Sequence, residues 1–153
     1  MADVVSTRER VEPGCEDRLR EWMAEVKRRE SEAMETLAHE GMVAEAAFLD
    51  EQPEATYLMY YMEAEDLDEV YEAFRSSPYE IDREHAAVVD EVLADDQPDE
   101  QPELLCHAVN GGAVDERDGG FSPGGVESDG AGSDGVESSG AESRESEDGA
   151  DDE

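Results

Sequence analysis

A hairpin pattern occupies residues 42–63, which read MVAEAAFLDEQPEATYLMYYME. Two short apolar runs rich in aromatic residues, Met42–Asp50 and Thr56–Glu63, flank the polar, proline-bearing stretch Glu51–Ala55. Apolar runs of this length on either side of a turn-forming stretch are typical of paired strands. The segment therefore predicts an antiparallel β-hairpin with a five-residue connection.

The residues before the hairpin predict one strand and one helix. Val4–Val11 is rich in β-branched residues near its start and is followed by Pro13-Gly14, a turn signal. Apolar residues then recur at helical spacing over Glu16–Glu40, and Gly41 follows as a stop signal. We expect a first strand at Val4–Val11 and one long helix at Glu16–Glu40.

The residues after the hairpin predict two helices and a last strand. Asp66 is expected to cap a short helix that begins at Leu67. A further helix is predicted over Ile81–Ala94, with Asp82 as its candidate cap. A proline-containing acidic loop follows, and Glu103–Val109 then alternates as a strand does.

This order of elements matches the split βαββαβ plan of ferredoxin-like domains, an α+β fold with helices on one face of an antiparallel sheet. In that plan the first strand lies centrally, between the third and the last. Alternation along the second and last strands makes both faces of the sheet largely apolar. The face away from the helices therefore needs a cover, most simply a second copy, so we expect a homodimer.

The charge of the chain is strongly negative, with 45 Asp and Glu against 11 Lys and Arg, a net charge of −34, and Lys27 as the sole lysine. High net charge is typical of disordered chains, but also of proteins that fold in brine, where about 1 M salt shortens the Debye length to roughly 3 Å. Retained apolar periods and the scarcity of lysine favour a halophilic protein. An acidic interaction protein from an ordinary cytoplasm is the alternative.

Charge and composition also predict which partners the protein has and in which compartment it lies. The net charge opposes binding to nucleic acid, and the even spread of acids speaks against an acidic mimic of nucleic acid. No apolar run approaches the ~20 residues of a membrane span, and residues 1–11 do not resemble a signal peptide, so a cytoplasmic protein without membrane contact is expected. Cys15 and Cys106 form no disulfide framework, and in a reducing compartment free thiols are expected. Neither belongs to a cluster with metal-ligand spacing, so no metal or cofactor is implied.

Composition changes at Asn110. Residues 1–110 carry a net charge of −22 and are predicted to form one domain. Residues 111–153 carry −12, with one aromatic residue and no leucine or isoleucine. Such a stretch cannot bury enough apolar area to offset its ordering entropy, so we predict a disordered, acidic, Gly/Ser-rich tail.

Four segments carry a resemblance to a known family: VEPGCEDRLREWMAEVKRR, YLMYYMEAEDLDEVYEAF, IDREHAAVVDEVL and LLCHAVN. Together they resemble a small family of haloarchaeal proteins described only as a domain of unknown function. That family is similar to the dimeric α/β-barrel group, which includes antibiotic-biosynthesis monooxygenases and rhamnose mutarotases. The resemblance covers about residues 3–110. It implies a dimeric barrel and brings no catalytic residues with it.

In barrels of this kind a small apolar cavity lies between sheet and helices, where a ligand would sit. Residues that could move or donate a proton there are His107, His85 and Tyr61, together with Tyr60. Residues that could contact the ligand are Arg8 or Arg10, Glu45, Tyr57 and Trp22. The set suits a small-molecule-binding protein or a cofactor-free proton transfer of the isomerase type.

Each candidate also has a purely structural interpretation. His85 has the sequence context of an ordinary packing or surface histidine. His107 suits a core or dimer-interface histidine bonded to Glu45 or a tyrosine, and the tyrosines suit a core with hydroxyls at its rim. Adjacent Cys106 and His107 point to opposite faces, which argues against a Cys/His nucleophile. The alternative function is therefore a noncatalytic homodimeric interaction module with an acidic solubilising tail.

Overall fold

The computed structural model describes residues 2–114 and 119–121 of the chain. It has an α+β architecture with one three-stranded sheet and helices. The elements in chain order are β1 (Asp3–Arg10), α1 (Glu16–Arg28), α2 (Glu30–Glu40), β2 (Met42–Glu51), β3 (Thr56–Ala64), α3 (Leu67–Arg75), α4 (Glu80–Val92) and a short helical turn, α5 (Gly111–Val114).

The sheet is antiparallel with the strand order β1-β3-β2, so the predicted hairpin is confirmed. Tyr60, on the central strand β3, lies opposite Thr7 of β1 and Ala47 of β2. Because side chains alternate along a strand, Leu58 and Tyr60 share one face, and both are buried in the core. Helix residues complete that core: Leu19, Trp22, Ala33, Ile81, Val88 and Val92.

The opposite face of the sheet, which we call the open face, carries the alternate residues. On β3 these are Tyr57, Met59, Tyr61 and Glu63. They pair across the sheet with Arg10, Arg8, Ser6 and Val4 of β1, and with Asp50, Phe48, Ala46 and Ala44 of β2.

The predicted last strand is wrong, because Glu103–Val109 forms no strand and is exposed throughout. The first strand consequently lies at an edge of the sheet instead of in its centre. Side-chain amides of Gln97 and Gln101 bond to the outer edge of β1 at the positions where the backbone of a fourth strand would bond. The described residues therefore contain three of the four strands of the ferredoxin-like plan.

The predicted long helix is divided at Arg29, whose backbone (φ −96°, ψ 37°) leaves helical geometry between α1 and α2. The Arg29 guanidinium bonds to Glu32 on α2, at 2.8 Å from Nη2 to Oε2, and to Glu84 on α4. The division thus occurs where the helix is tied to its neighbour α4.

The capping predictions have different outcomes. Asp66 caps α3 as predicted, its Oδ1 accepting from the backbone N–H of Glu69 at 3.1 Å. Asp82 does not cap α4, because that helix begins at Glu80 with Tyr79 at the N-cap position. The side chain of Asp82 is buried instead.

A single residue connects α2 to β2. Gly41 adopts the left-handed conformation (φ 78°, ψ 22°), and β2 begins at the next residue. Glycine adopts this conformation without the steric cost that a Cβ atom brings. The turn reverses the chain within one residue.

The predicted tail, residues 111–153, lies outside the described residues apart from Gly111–Val114 and Gly119–Phe121. Within the described part of the chain, no helix combines the length and the apolar content that crossing a membrane requires.

Candidate functional site

A cavity of about 100 Å³ opens between the helices and the strand β2. Apolar side chains form part of its wall, among them Leu37, Phe74 and Ile81. Five polar residues also line it: Thr36 and Glu40 from α2, Glu45 from β2, and Asp82 and His85 from α4.

Hydroxyl groups link the buried acids of this cavity. Thr36, Glu40 and Asp82 are all buried. Thr36 Oγ1 lies 3.1 Å from Glu40 Oε1 and also bonds to Asp82 Oδ2, which accepts a second hydroxyl from Ser77. One hydroxyl hydrogen cannot serve two carboxylates. When Thr36 donates to Asp82, a protonated Glu40 can donate its own hydrogen to the Thr36 oxygen.

The pKa values of two cavity carboxyl groups are raised. Burial, together with the charge of Asp82, raises the pKa of Glu40 to about 7. The same two causes raise the pKa of Glu45 to about 7. Glu45 is among the residues that line the cavity, although the residue as a whole is exposed. A carboxyl group with such a pKa is partly protonated at neutral pH.

His85 is a neutral imidazole held by two aromatic residues. Trp22 Nε1 lies 2.9 Å from His85 Nδ1, and an indole nitrogen can only donate, so Nδ1 accepts. Burial lowers the pKa of His85, which keeps the ring neutral with its hydrogen on Nε2. That hydrogen is donated to the Tyr60 hydroxyl, 3.2 Å away. Phe74 packs edge-on against the ring, with centroids 6.0 Å apart.

This geometry fits the structural interpretation of His85. Both of its ring nitrogens are engaged, and the two partners, Trp22 and Tyr60, are buried. Burial raises the pKa of the Tyr60 hydroxyl, so it remains a neutral phenol. His85 therefore orients Tyr60 and closes the inner side of the cavity.

The remaining predicted site residues lie on the open face. The Tyr61 hydroxyl donates to Glu63 Oε2 at 3.1 Å and lies 3.3 Å from His107 Nε2. The Arg8 guanidinium carbon stands 4.6 Å from the centroid of the Tyr57 ring. These contacts lie on the open face, which the sheet separates from the cavity.

The structure thus divides the predicted site into two groups. It brings Glu45 and His85 to the cavity, with Trp22 and Tyr60 behind His85. It does not bring there the residues of the open face: Arg8, Arg10, Tyr57, Tyr61 and His107.

Sequence analysis missed Thr36, Glu40, Ser77 and the buried role of Asp82. One signal was present, because Thr36 and Glu40 stand four positions apart on α2, next to the apolar positions Ala33 and Leu37. Polar residues beside an apolar stripe can indicate a lined cavity. Within residues 2–114 and 119–121, no group of three or more His, Cys, Asp or Glu residues is arranged to hold a metal ion.

The chain belongs to the family described as "Family of unknown function (DUF6176)", which matches residues 2–111. No curated protein shows significant similarity to the chain.

Three solved structures are similar to the chain. A conserved protein from Methanosarcina mazei Go1 is 24% identical, with a TM-score of 0.43, over 64% of this chain and 87% of that chain. The NE2512 protein of unknown function from Nitrosomonas europaea is 21% identical, with a TM-score of 0.43, over 69% of this chain and 91% of that chain. Rv0793 from Mycobacterium tuberculosis is 19% identical, with a TM-score of 0.45, over 71% of this chain and all of that chain (100%).

Proposed function

We propose that this member of the DUF6176 family binds a small organic molecule in the cavity and moves a proton on it without a cofactor. The observation that carries the proposal is the presence of two carboxyl groups, Glu40 and Glu45, with pKa values of about 7 in one small cavity. General acid–base catalysis is most efficient when the pKa of the catalytic group is near the working pH.

The charges of the cavity indicate the class of ligand. No arginine or lysine is among its described lining residues, whereas three carboxyl groups are. An anionic ligand would be repelled there, so the ligand is neutral or cationic. Since a cavity of about 150 Å³ accommodates benzene, a cavity of about 100 Å³ admits only a compact molecule of a few heavy atoms.

The two carboxyl groups would have complementary roles. Glu45, the more exposed of the two, would act in its ionised form and take a proton from the carbon next to a ligand carbonyl. Glu40, protonated and hydrogen-bonded to Thr36, would return a proton to the ligand, either at another position or on the opposite face of the same carbon. Such a pair would isomerise or epimerise the ligand with no net change in protons.

Hydrogen–deuterium exchange tests this proposal even while the substrate is unidentified. A panel of small neutral and amine-bearing carbonyl compounds would be incubated with the protein in D₂O and followed by proton NMR. We expect exchange at the carbon next to the carbonyl of at least one compound, and Glu45→Gln should slow it by about 100-fold. Glu63→Gln, a matched change on the open face, should leave the rate unchanged. Equal rates in both variants would contradict the role of Glu45.

A noncatalytic homodimer is the second candidate function, and it is favoured by exposed apolar side chains. Phe48 on the open face is 56% exposed, and Leu105 is 87% exposed. An exposed apolar side chain on the open face would be covered by a second copy that packs there. A dimer in sedimentation equilibrium, together with no exchange in the whole panel, would favour this function over proton transfer.

We also propose that the protein folds in concentrated salt in a cytoplasm. With a net charge of −34, repulsion between its carboxylates destabilises the folded state unless salt screens it. The helical circular dichroism signal and the thermal unfolding midpoint should both be lower in 0.1 M KCl than in 3 M KCl. A protein that is equally folded and equally stable at both concentrations would count against a halophilic origin.

A further inference from the structure

The two edges of the sheet differ in charge. An edge strand exposes backbone N–H and C=O groups that can pair with another chain, and charged side chains on the strand oppose such pairing. β2 carries three acids, Glu45, Asp50 and Glu51, and no base. β1 carries two acids and two bases, so its net charge is zero. Charge repulsion therefore protects the edge of β2 but not that of β1.

Two glutamine side chains occupy the edge of β1. The backbone N–H of Arg10 donates to Gln97 Oε1 at 2.7 Å, and Gln97 Nε2 donates to the Arg10 carbonyl at 3.1 Å. The backbone N–H of Arg8 donates to Gln101 Oε1 at 2.7 Å, and Gln101 Nε2 donates to the Arg8 carbonyl at 3.2 Å. A side-chain amide has the donor and the acceptor of a peptide group. Each glutamine thus replaces one residue of a neighbouring strand.

A third contact holds the segment that carries these glutamines. The backbone N–H of Ala94 donates to the Arg10 carbonyl at 2.9 Å, and Gln97 Nε2 also donates to the Ala94 carbonyl at 2.6 Å. The chain is therefore fixed beside β1 just before Gln97. Because the chain is held at Ala94, the side-chain amides of Gln97 and Gln101 lie within reach of the edge of β1.

We propose that Gln97 and Gln101 close the edge of β1 against pairing with a second copy of this chain. A second copy is the occupant because β1 is the edge without net charge in an acidic protein and contains the β-branched pair Val4 and Val5. The same strand of two molecules can pair antiparallel, with the outward backbone groups of each bonding to the other. The proposal does not depend on proton transfer in the cavity or on a dimer through the open face.

The test is the double variant Gln97→Ala/Gln101→Ala in 3 M KCl. At low protein concentration, the amide hydrogens of Arg8 and Arg10 should exchange with solvent about tenfold faster, because each loses one hydrogen bond. At high concentration, sedimentation velocity should show species larger than those of the parent protein. Gln52→Ala is the matched control, since the Gln52 amide bonds to the Asp50 side chain and not to a strand edge.

Further variants separate edge closure from loss of folding. Gln101→Glu keeps the acceptor for the Arg8 N–H but loses the donor, and it should give an intermediate exchange rate at that amide. Adding Ser6→Lys to the double variant places like charges on both copies of the strand and should reverse the association. The proposal is overturned if the double variant, folded by circular dichroism, exchanges at Arg8 and Arg10 and sediments as the parent does. Association that Ser6→Lys leaves unchanged would also overturn it.

Discussion

Replacement of His85 by leucine is expected to lower the free energy of unfolding by about 3 kcal/mol. Leucine fills similar space but can neither accept from Trp22 Nε1 nor donate to the Tyr60 hydroxyl. Both partners are buried, at 5% and 8% exposure, and a buried polar group without a partner costs about 1–3 kcal/mol. Urea unfolding in 3 M KCl, followed by the fluorescence of the single tryptophan, measures the loss.

Two further variants identify the cause of that loss. Adding Tyr60→Phe to His85→Leu should recover about 1 kcal/mol, because the unsatisfied hydroxyl is then absent. His39→Leu, at an exposed position on α2, should change stability by about 0.5 kcal/mol at most. A loss below about 1 kcal/mol for His85→Leu would mean that its two hydrogen bonds do not form in solution.

Raising the pH from 5 to 8 is expected to destabilise the parent protein by roughly 2 kcal/mol more than the Glu40→Gln variant. The pKa of Glu40 is raised from 4.5 to about 7 in the folded state. Between these values the native state holds a proton that the unfolded state has lost, so stability falls as the pH rises through this window. Above pH 7 the difference levels off.

Urea unfolding at several pH values in 3 M KCl measures this difference. Glutamine imitates the protonated form of Glu40, because its side-chain N–H can donate to the Thr36 oxygen, so the variant should lose the pH dependence that Glu40 contributes. Glu35→Gln, an exposed change on the same helix, should follow the parent curve. Parallel curves for the parent and Glu40→Gln would show that this carboxyl group is already ionised at pH 5.

The hairpin and the Asp66 cap were predictable because their signals are local in sequence. The division of the helix at Arg29 was not, since it coincides with an ion pair to Glu84, far along the chain. The pattern of Glu103–Val109 is that of a strand, but glutamine side chains already occupy part of the β1 edge where it would pair.

The candidate site was predictable only in part. Alternation on β3 separates Tyr60 from Tyr57 and Tyr61, so the sequence already contained the division into two faces. The convergence of Glu40 and Asp82 could not be predicted, because the two acids lie on helices that are far apart along the chain. Packing of α2 against α4 is what encloses them.

The one-residue turn at Gly41 keeps two acidic residues of the cavity close together in the sequence. Glu40 ends one element, Glu45 lies early in the next, and only five positions separate them in the sequence. Two carboxyl groups of the cavity are therefore carried by a single short peptide and need no long-range chain closure to come together. A relative that keeps this peptide keeps both carboxyl groups in the cavity. An insertion of one residue within the peptide would change the position of one carboxyl group relative to the other.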